Sequence, residues 1–259
     1  MLNYDQSRSR PPESQQTLNT SAGTLTAVTT THAHRLVLWD IDHTLVDLTG
    51  VGSSWYATAL TAMGTELRTH PDYGGRTERA ITADILTTHG IEATEENIQR
   101  LWSELIAVAD EARGTLHEAG RALDGAAAAL AAMAGHGAVQ TLVTGNLPEI
   151  SVHKLAAFGL DEHLELEIGG YGSLSAHRPD LVPHAVAAAA AKHGTAFAPG
   201  DVVVIGDTPN DVKAALDNGA VAVAVATGHY SAEELAASGA HTVLPDLADL
   251  DSVRKAVLG

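Results

Sequence analysis

The sequence predicts an α/β protein: a parallel sheet with helices on both faces, interrupted early by an all-helical insertion. Three observations predict it. Leu36-Val37-Leu38-Trp39-Asp40-Ile41-Asp42-His43-Thr44-Leu45 is an apolar run ending in two aspartates one residue apart, the pattern of a buried strand with charge at its carboxyl end. From residue 51 to 113 apolar residues recur at helical spacing, and no strand is convincing. Beyond Arg113, short apolar runs alternate with helical patterns, which implies parallel strands covered on both faces.

Residues 1–34 are rich in Ser, Thr, Gln, Asn and Pro and lack periodicity, so they read as a disordered or loosely attached tail. The sequon Asn19-Thr20-Ser21 reads as chance and the pair His32 and His34 as incidental. The first strand is expected over Leu36 to Ile41. Gly50 to Gly52 reads as a hinge into the insertion, residues 51–114. Its three or four helices carry Trp55, Ala59, Leu60 and Met63, then Ile81, Ile85 and Leu86, then Ile98, Leu101, Trp102, Leu105 and Ile106, with a turn at 70–75. Residues 35–50 and 115–259 form the α/β core. There the pattern predicts a helix from Ala126 ending at Gly135, a strand at Val139 to Val143, and a helix from Pro148 closed by Gly159. A short strand at Leu164 to Ile168, a helix from Leu181 stopped by Gly194 and a strand at Val202 to Ile205 follow. A helix from Asp211 stopped by Gly219, a strand at Val221 to Val225, a helix near Glu233, a strand at Thr242 to Leu244 and a helix near Leu247 to Leu258 complete the order.

Composition narrows the function. Hydrophobic residues make up 45% of the 259, enough for a substantial core. The formal charge is −17 with no basic cluster, which excludes an electrostatic grip on nucleic acid. An acidic protein that takes a phosphate substrate needs a metal or a placed cation to offset repulsion. With no cysteine, disulfides and thiol chemistry are excluded. No segment is long and apolar enough to suggest a membrane span, and no apolar stretch follows Arg8 and Arg10 as in a secretory signal. The expectation is a cytoplasmic protein with no membrane or nucleic-acid partner.

Two close carboxylates repel unless a cation lies between them or one holds a proton. Asp40-x-Asp42 therefore predicts a divalent metal, acid/base chemistry, or both. Two later strands also end in polar residues: Leu142-Val143 in Thr144-Gly145-Asn146, and Val203-Val204-Ile205 in Gly206-Asp207-Thr208-Pro209-Asn210-Asp211. His177-Arg178-Pro179-Asp180 precedes a helix between them. Each has a bland alternative as a turn, a surface charge or a helix cap. Their joint occurrence at successive strand ends does not, because open parallel sheets bind ligands there.

Together these segments resemble the four motifs of the haloacid dehalogenase (HAD) superfamily in its phosphatase branch, and the helical insertion matches the family's cap, in the position shared by phosphoglycolate phosphatases and sugar-phosphate phosphatases. The resemblance covers Arg35 to the C-terminus and implies a Rossmann-like core. It further implies a Mg²⁺-dependent phosphomonoesterase for a small phosphorylated metabolite. Asp40 would be the nucleophile and Asp42 the general acid and base. Thr144, Gly145 and Asn146 would bind phosphoryl oxygens and Arg178 would neutralise their charge. Mg²⁺ would be held by the Asp40 and Asp207 carboxylates and the Asp42 carbonyl, with Asp211 behind or on a bound water. The second acid, Asp42, argues against dehalogenation. A phosphotransferase or sugar-phosphate mutase is the alternative, and a non-catalytic phosphate-binding module a further one.

Two departures from the family pattern stand out. His43 occupies a position where the family has glycine; it either reaches toward the leaving group or is a tolerated loop residue. Arg178 replaces the family's more usual lysine. In the insertion, Gly75-Arg76-Thr77 opens a helix whose N-terminus, with Arg76 and Thr77, suits an anionic substrate; the alternative is a plain cap at Thr77 with Arg76 in solvent. Lys154 and Lys192 read as ordinary surface positions.

Overall fold

A computed structural model describes residues 35–259; the tail 1–34, with its sequon at Asn19 and the pair His32 and His34, lies outside the described residues. In chain order the elements are β1 (Leu36–Trp39), β2 (Val46–Asp47), α1 (Val51–Ala62), α2 (Glu78–Thr88), α3 (Glu95–Ala112), β3 (Arg121–Ala122), α4 (Ala126–Gly135), β4 (Val139–Thr144) and α5 (Pro148–Ala156). There follow β5 (Gly170–Tyr171), α6 (Leu181–His193), β6 (Val202–Gly206), α7 (Pro209–Asp217), β7 (Val221–Val225), α8 (Ala232–Ala237), β8 (Thr242–Leu244) and α9 (Leu250–Leu258).

Six strands form one parallel sheet in the order β5-β4-β1-β6-β7-β8. β1 is central and wholly buried, which explains its unbroken apolar run. Its side chains alternate between two cores. Val37 and Trp39 face the core packed by α4, α5, α9 and the insertion; Leu36 and Leu38 face the core packed by α6, α7 and α8. The strand order reverses at β1, between β4 and β6, and such a switch point opens the crevice where these sheets hold ligands.

The insertion α1–α3 leaves and rejoins the sheet through an antiparallel ribbon of β2 and β3, with Val46 opposite Ala122 and Asp47 opposite Arg121. Its helices bury Ala59, Leu60, Ile85, Leu101 and Leu105 against one another, the residues whose spacing predicts them. Thr77 and Thr94 cap α2 and α3 through their hydroxyls. No helix among the described residues is long and apolar enough to cross a membrane.

Four expectations change. The strand expected over Leu164 to Ile168 is a turn with a short 3₁₀ helix at Leu166–Ile168, and strand pairing begins only at Gly170. Leu164 and Ile168 are buried, but Glu165 N–H bonds Gln140 C=O alone, so alternation here serves burial and not a ladder. The first strand ends at Trp39, because Leu45 and Val46 N–H turn back to Ile41 C=O. Gly135 stays helical, and the left-handed glycine that follows α4 is Gly137 (φ 75°). α7 begins at Pro209 on a Thr208 cap, ahead of Asp211.

Candidate active site

The carboxyl ends of β1, β4, β6 and β7 meet the insertion around one cavity of about 450 Å³. Asp40, Asp42 and His43 enter from β1, Gly145 and Asn146 from β4, and Asp207 and Thr208 from β6. Tyr56, Tyr73, Arg76 and Glu78 close it from the insertion.

At its floor, Asp40, Asp207 and Asp211 are buried, with carboxylate oxygens within 4.8 Å of one another. The buried Arg178 guanidinium stands between two of them, 2.9 Å from Asp40 Oδ1 and 2.6 Å from Asp211 Oδ1, and also donates to Val143 C=O. Fully ionised, three carboxylates against one guanidinium would leave this cluster two negative charges in excess. Burial, then Asp211 and Asp42, lift Asp40 to about 6 despite Arg178. Burial, then Asp211 and Asp40, push Asp207 up to about 9. Burial alone would lower Arg178, but Asp211 and Asp40 hold it above its ordinary value. Asp211 also closes the capping box of α7, where its Oδ2 accepts from Thr208 N–H and Oγ1. Gly206 is required there, since a Cβ would lie 2.2 Å from the Asp211 carboxyl carbon.

Asp42 stands outside this cluster. Lys154 Nζ lies 2.7 Å from each of its carboxylate oxygens and 2.8 Å from Asn146 Oδ1, which engages all three ammonium donors. Asn146 Nδ2 donates to Asp42 Oδ2 (2.8 Å) and Thr144 Oγ1 (2.9 Å). Burial pushes Asp42 up, but Lys154 and Asn146 outweigh it and hold the carboxyl below its ordinary value. Thr144 is fully buried and does not line the cavity; its hydroxyl anchors Asn146. Lys154 is thus no surface residue. Leu147, Ile150, Ser151, Lys154 and Leu155 fall at helical spacing and are all buried, so α5 turns Lys154 inward.

His43 adopts a left-handed backbone (φ 57°), the only described non-glycine residue to do so. The glycine-like demand at this position is real, and histidine meets it. Its ring lies 5.0 Å from that of His229, tilted by 60°.

The opening of α2 differs from the anion cradle expected of it. Glu78 N–H donates to Gly145 C=O (2.8 Å), Arg79 N–H to Gly172 C=O (3.0 Å) and Ala80 N–H to the Thr77 hydroxyl, so these first donors are occupied. Thr77 is buried as the cap and does not line the cavity. Arg76 lines it, but its guanidinium pairs with Asp84 at 2.6 Å and with the Asp72 and Ala80 carbonyls.

The family model for haloacid dehalogenase-like hydrolase matches residues 37–216. The chain belongs to the haloacid dehalogenase-like hydrolases. Solved structures share the fold of this haloacid dehalogenase-like hydrolase. A hydrolase from Pseudomonas syringae is 24% identical, with 84% of this chain and 96% of that one covered and a TM-score of 0.62. A predicted phosphoglycolate phosphatase from Haemophilus somnus is 19% identical over 85% and 98% of the two chains, TM-score 0.62. A candidate β-phosphoglucomutase from Bacteroides vulgatus is 19% identical over 86% and 88%, again at 0.62. No curated protein matches the chain.

Lys154 and Glu78, two charged residues of this hydrolase's cavity, were not read from its sequence as site residues. Lys154 carried a signal in the spacing of α5. Glu78 carried none, since an acid in the first turn of a helix is accounted for by the helix dipole alone.

Proposed function

We propose that the chain is a Mg²⁺-dependent phosphomonoesterase that hydrolyses a small phosphorylated metabolite through an aspartyl-phosphate on Asp40. One observation carries this reading: Asp40 and Asp42 face one cavity, yet each is set in a different electrostatic surrounding, Asp40 among acids with Arg178 and Asp42 against Lys154. Paired carboxylates held in contrasting environments are suited to different roles.

The donor set at the floor fits a hard divalent cation, being all carboxylate and, when ionised, two charges in excess. Asp40, Asp207 and Asp211 would hold Mg²⁺, which supplies the positive charge that lets a phosphate approach these acids.

A carboxylate oxygen of Asp40 attacks phosphorus; the bond from phosphorus to the ester oxygen breaks, and the leaving oxygen takes a proton from Asp42. Water then gives a proton to Asp42 and its oxygen to phosphorus, which releases inorganic phosphate and restores Asp40. Arg178 keeps Asp40 oriented and offsets charge on the phosphoryl oxygens. In the structure Asp42 is held ionised by Lys154, the state of a base. Its acid role requires Lys154 to turn to an incoming phosphoryl oxygen, after which burial favours the protonated carboxyl. Lysine's flexible stem suits that move.

Release of inorganic phosphate from a metabolite panel with Mg²⁺, compared with Asp40→Asn, tests the reading. Wild-type release no greater than that of Asp40→Asn across the panel would refute it.

A further inference from the structure

Glu78 ends a directed hydrogen-bond chain inside the insertion. Trp102 Nε1 can only donate, and it donates to Thr82 Oγ1 at 2.9 Å. The Thr82 hydroxyl hydrogen is then free for Tyr56 Oη, 3.1 Å away, and the Tyr56 hydroxyl donates to Glu78 Oε1. All four residues are buried. Glu78 Oε2 has no hydrogen-bond partner among the described residues, is not sealed off by them, and belongs to a residue that lines the cavity. The main chain of Glu78 is bonded to Gly145, next to Asn146, which holds Asp42. Glu78 therefore lines the same cavity as Asn146 and Asp42, the group that would protonate the leaving oxygen, and a leaving group would extend into that cavity.

The lysine and arginine side chains of the cavity are all taken by protein partners. Lys154 is engaged by Asp42 and Asn146, and in the proposed acid step by the phosphoryl group; Arg178 is engaged by Asp40 and Asp211, and Arg76 by Asp84. A leaving group with a carboxylate would face Glu78 without a free lysine or arginine. A hydroxyl can donate to Glu78 Oε2 when the carboxyl is ionised and accept from it when it is protonated. Burial lifts Glu78 to about 7, so both states are populated near neutrality and a hydroxyl is served by either.

We infer that Glu78 selects phosphate esters whose leaving group is neutral and hydroxyl-bearing, and rejects esters of hydroxy acids. This deepens the phosphomonoesterase reading and rests on it.

The test uses two matched pairs: 2-hydroxyethyl phosphate against carboxymethyl phosphate, and glycerol 1-phosphate against 3-phosphoglycerate. kcat/KM for the neutral member of each pair is expected to exceed that of the carboxylate member by at least about tenfold, since a site built to bond a hydroxyl rejects a partner that leaves it unpaired. Glu78→Gln keeps an acceptor for Tyr56 and removes the charge. It should shrink both ratios at least about fivefold, chiefly by improving the carboxylate esters. The wild-type ratios decide the matter even if that variant does not fold. Ratios near one, or in favour of the carboxylate esters, overturn the inference while the esterase reading stands. No phosphate from any of the four beyond the Asp40→Asn level overturns the inference, and overturns the esterase reading as well when the metabolite panel is equally silent.

Discussion

Lys154 Nζ sits 2.7 Å from both carboxylate oxygens of Asp42, with the lysine side chain almost wholly buried. This pair fixes the protonation state of the acid that the proposed chemistry uses twice. Replacing Lys154 by Met removes the main influence that lowers Asp42, so burial is left unopposed by it and the pKa of the carboxyl rises. The optimum of the kcat profile should move to higher pH, with kcat/KM down about 10²-fold. Profiles of wild type and Lys154→Met on one alkyl phosphate check this; an unmoved optimum would detach Lys154 from Asp42's proton.

Stability of the metal-free protein should fall with rising pH. Asp40, Glu78 and Asp207 have folded-state values of about 6, 7 and 9, above their ordinary values. Below pH ~4 both folded and unfolded chains hold these protons; above it the unfolded chain loses them first, and each group removes ~1.4 kcal/mol per pH unit until its folded value is passed. Asp42, held low, works in the opposite sense: its contribution is present above the unfolded value and lost as pH falls toward the folded one. Melting temperature in EDTA should thus decline from about pH 5 to pH 8. Mg²⁺ should raise it more at pH 8 than at pH 5, where protons compete for the same oxygens.

Asp207→Asn separates the cluster's repulsion from its use. The variant is expected to be more stable than wild type in EDTA at pH 8, by about 1–3 kcal/mol. It should gain little from Mg²⁺. Thermal denaturation with and without the ion measures both, and wild-type-like stabilisation by Mg²⁺ would remove Asp207 from the ligand set.

Gly172 admits the insertion to the sheet. A Cβ there would lie 1.7 Å from Gly145 O and 2.6 Å from Glu78 N. Gly172→Ala should cost about 1–3 kcal/mol and raise hydrogen exchange at the start of α2. Gly114→Ala, where a Cβ meets nothing within 4 Å, is the control.

The left-handed backbone of His43 distinguishes side chains by shape. Asn should replace it with little change, whereas β-branched Val should lose about 1–2 kcal/mol. Chemical denaturation of the two variants gives the difference.

The parallel core was legible because its strands are buried on both faces and its helices end in turn-forming residues such as Gly194 and Gly219. The convergence of Asp40, Asp42 and Asp207 on one cavity was legible because parallel strands end at one crevice, whereas Arg178, in a turn ahead of α6, was picked out by the family resemblance. Pairing was less so. The partners of Lys154, and the diversion of Arg76 to Asp84, depend on which helix faces meet, and local spacing does not report that. Leu164 to Ile168 misled for a related reason: alternation signals burial, and an edge turn can bury the same residues as a strand.

The insertion is fastened at α2 by the amides of Glu78 and Arg79 on the carbonyls of Gly145 and Gly172. These contacts involve no side chain. Selectivity along the insertion wall can therefore drift, residue by residue, without touching these two bonds, which are written in the peptide backbone; Arg79 Nε on Ser173 C=O and Asn210 Nδ2 on Gly74 C=O add side-chain fastenings beside them. In such a design, substrate range and closure evolve on separate axes, and the two receiving glycines are the points where they meet.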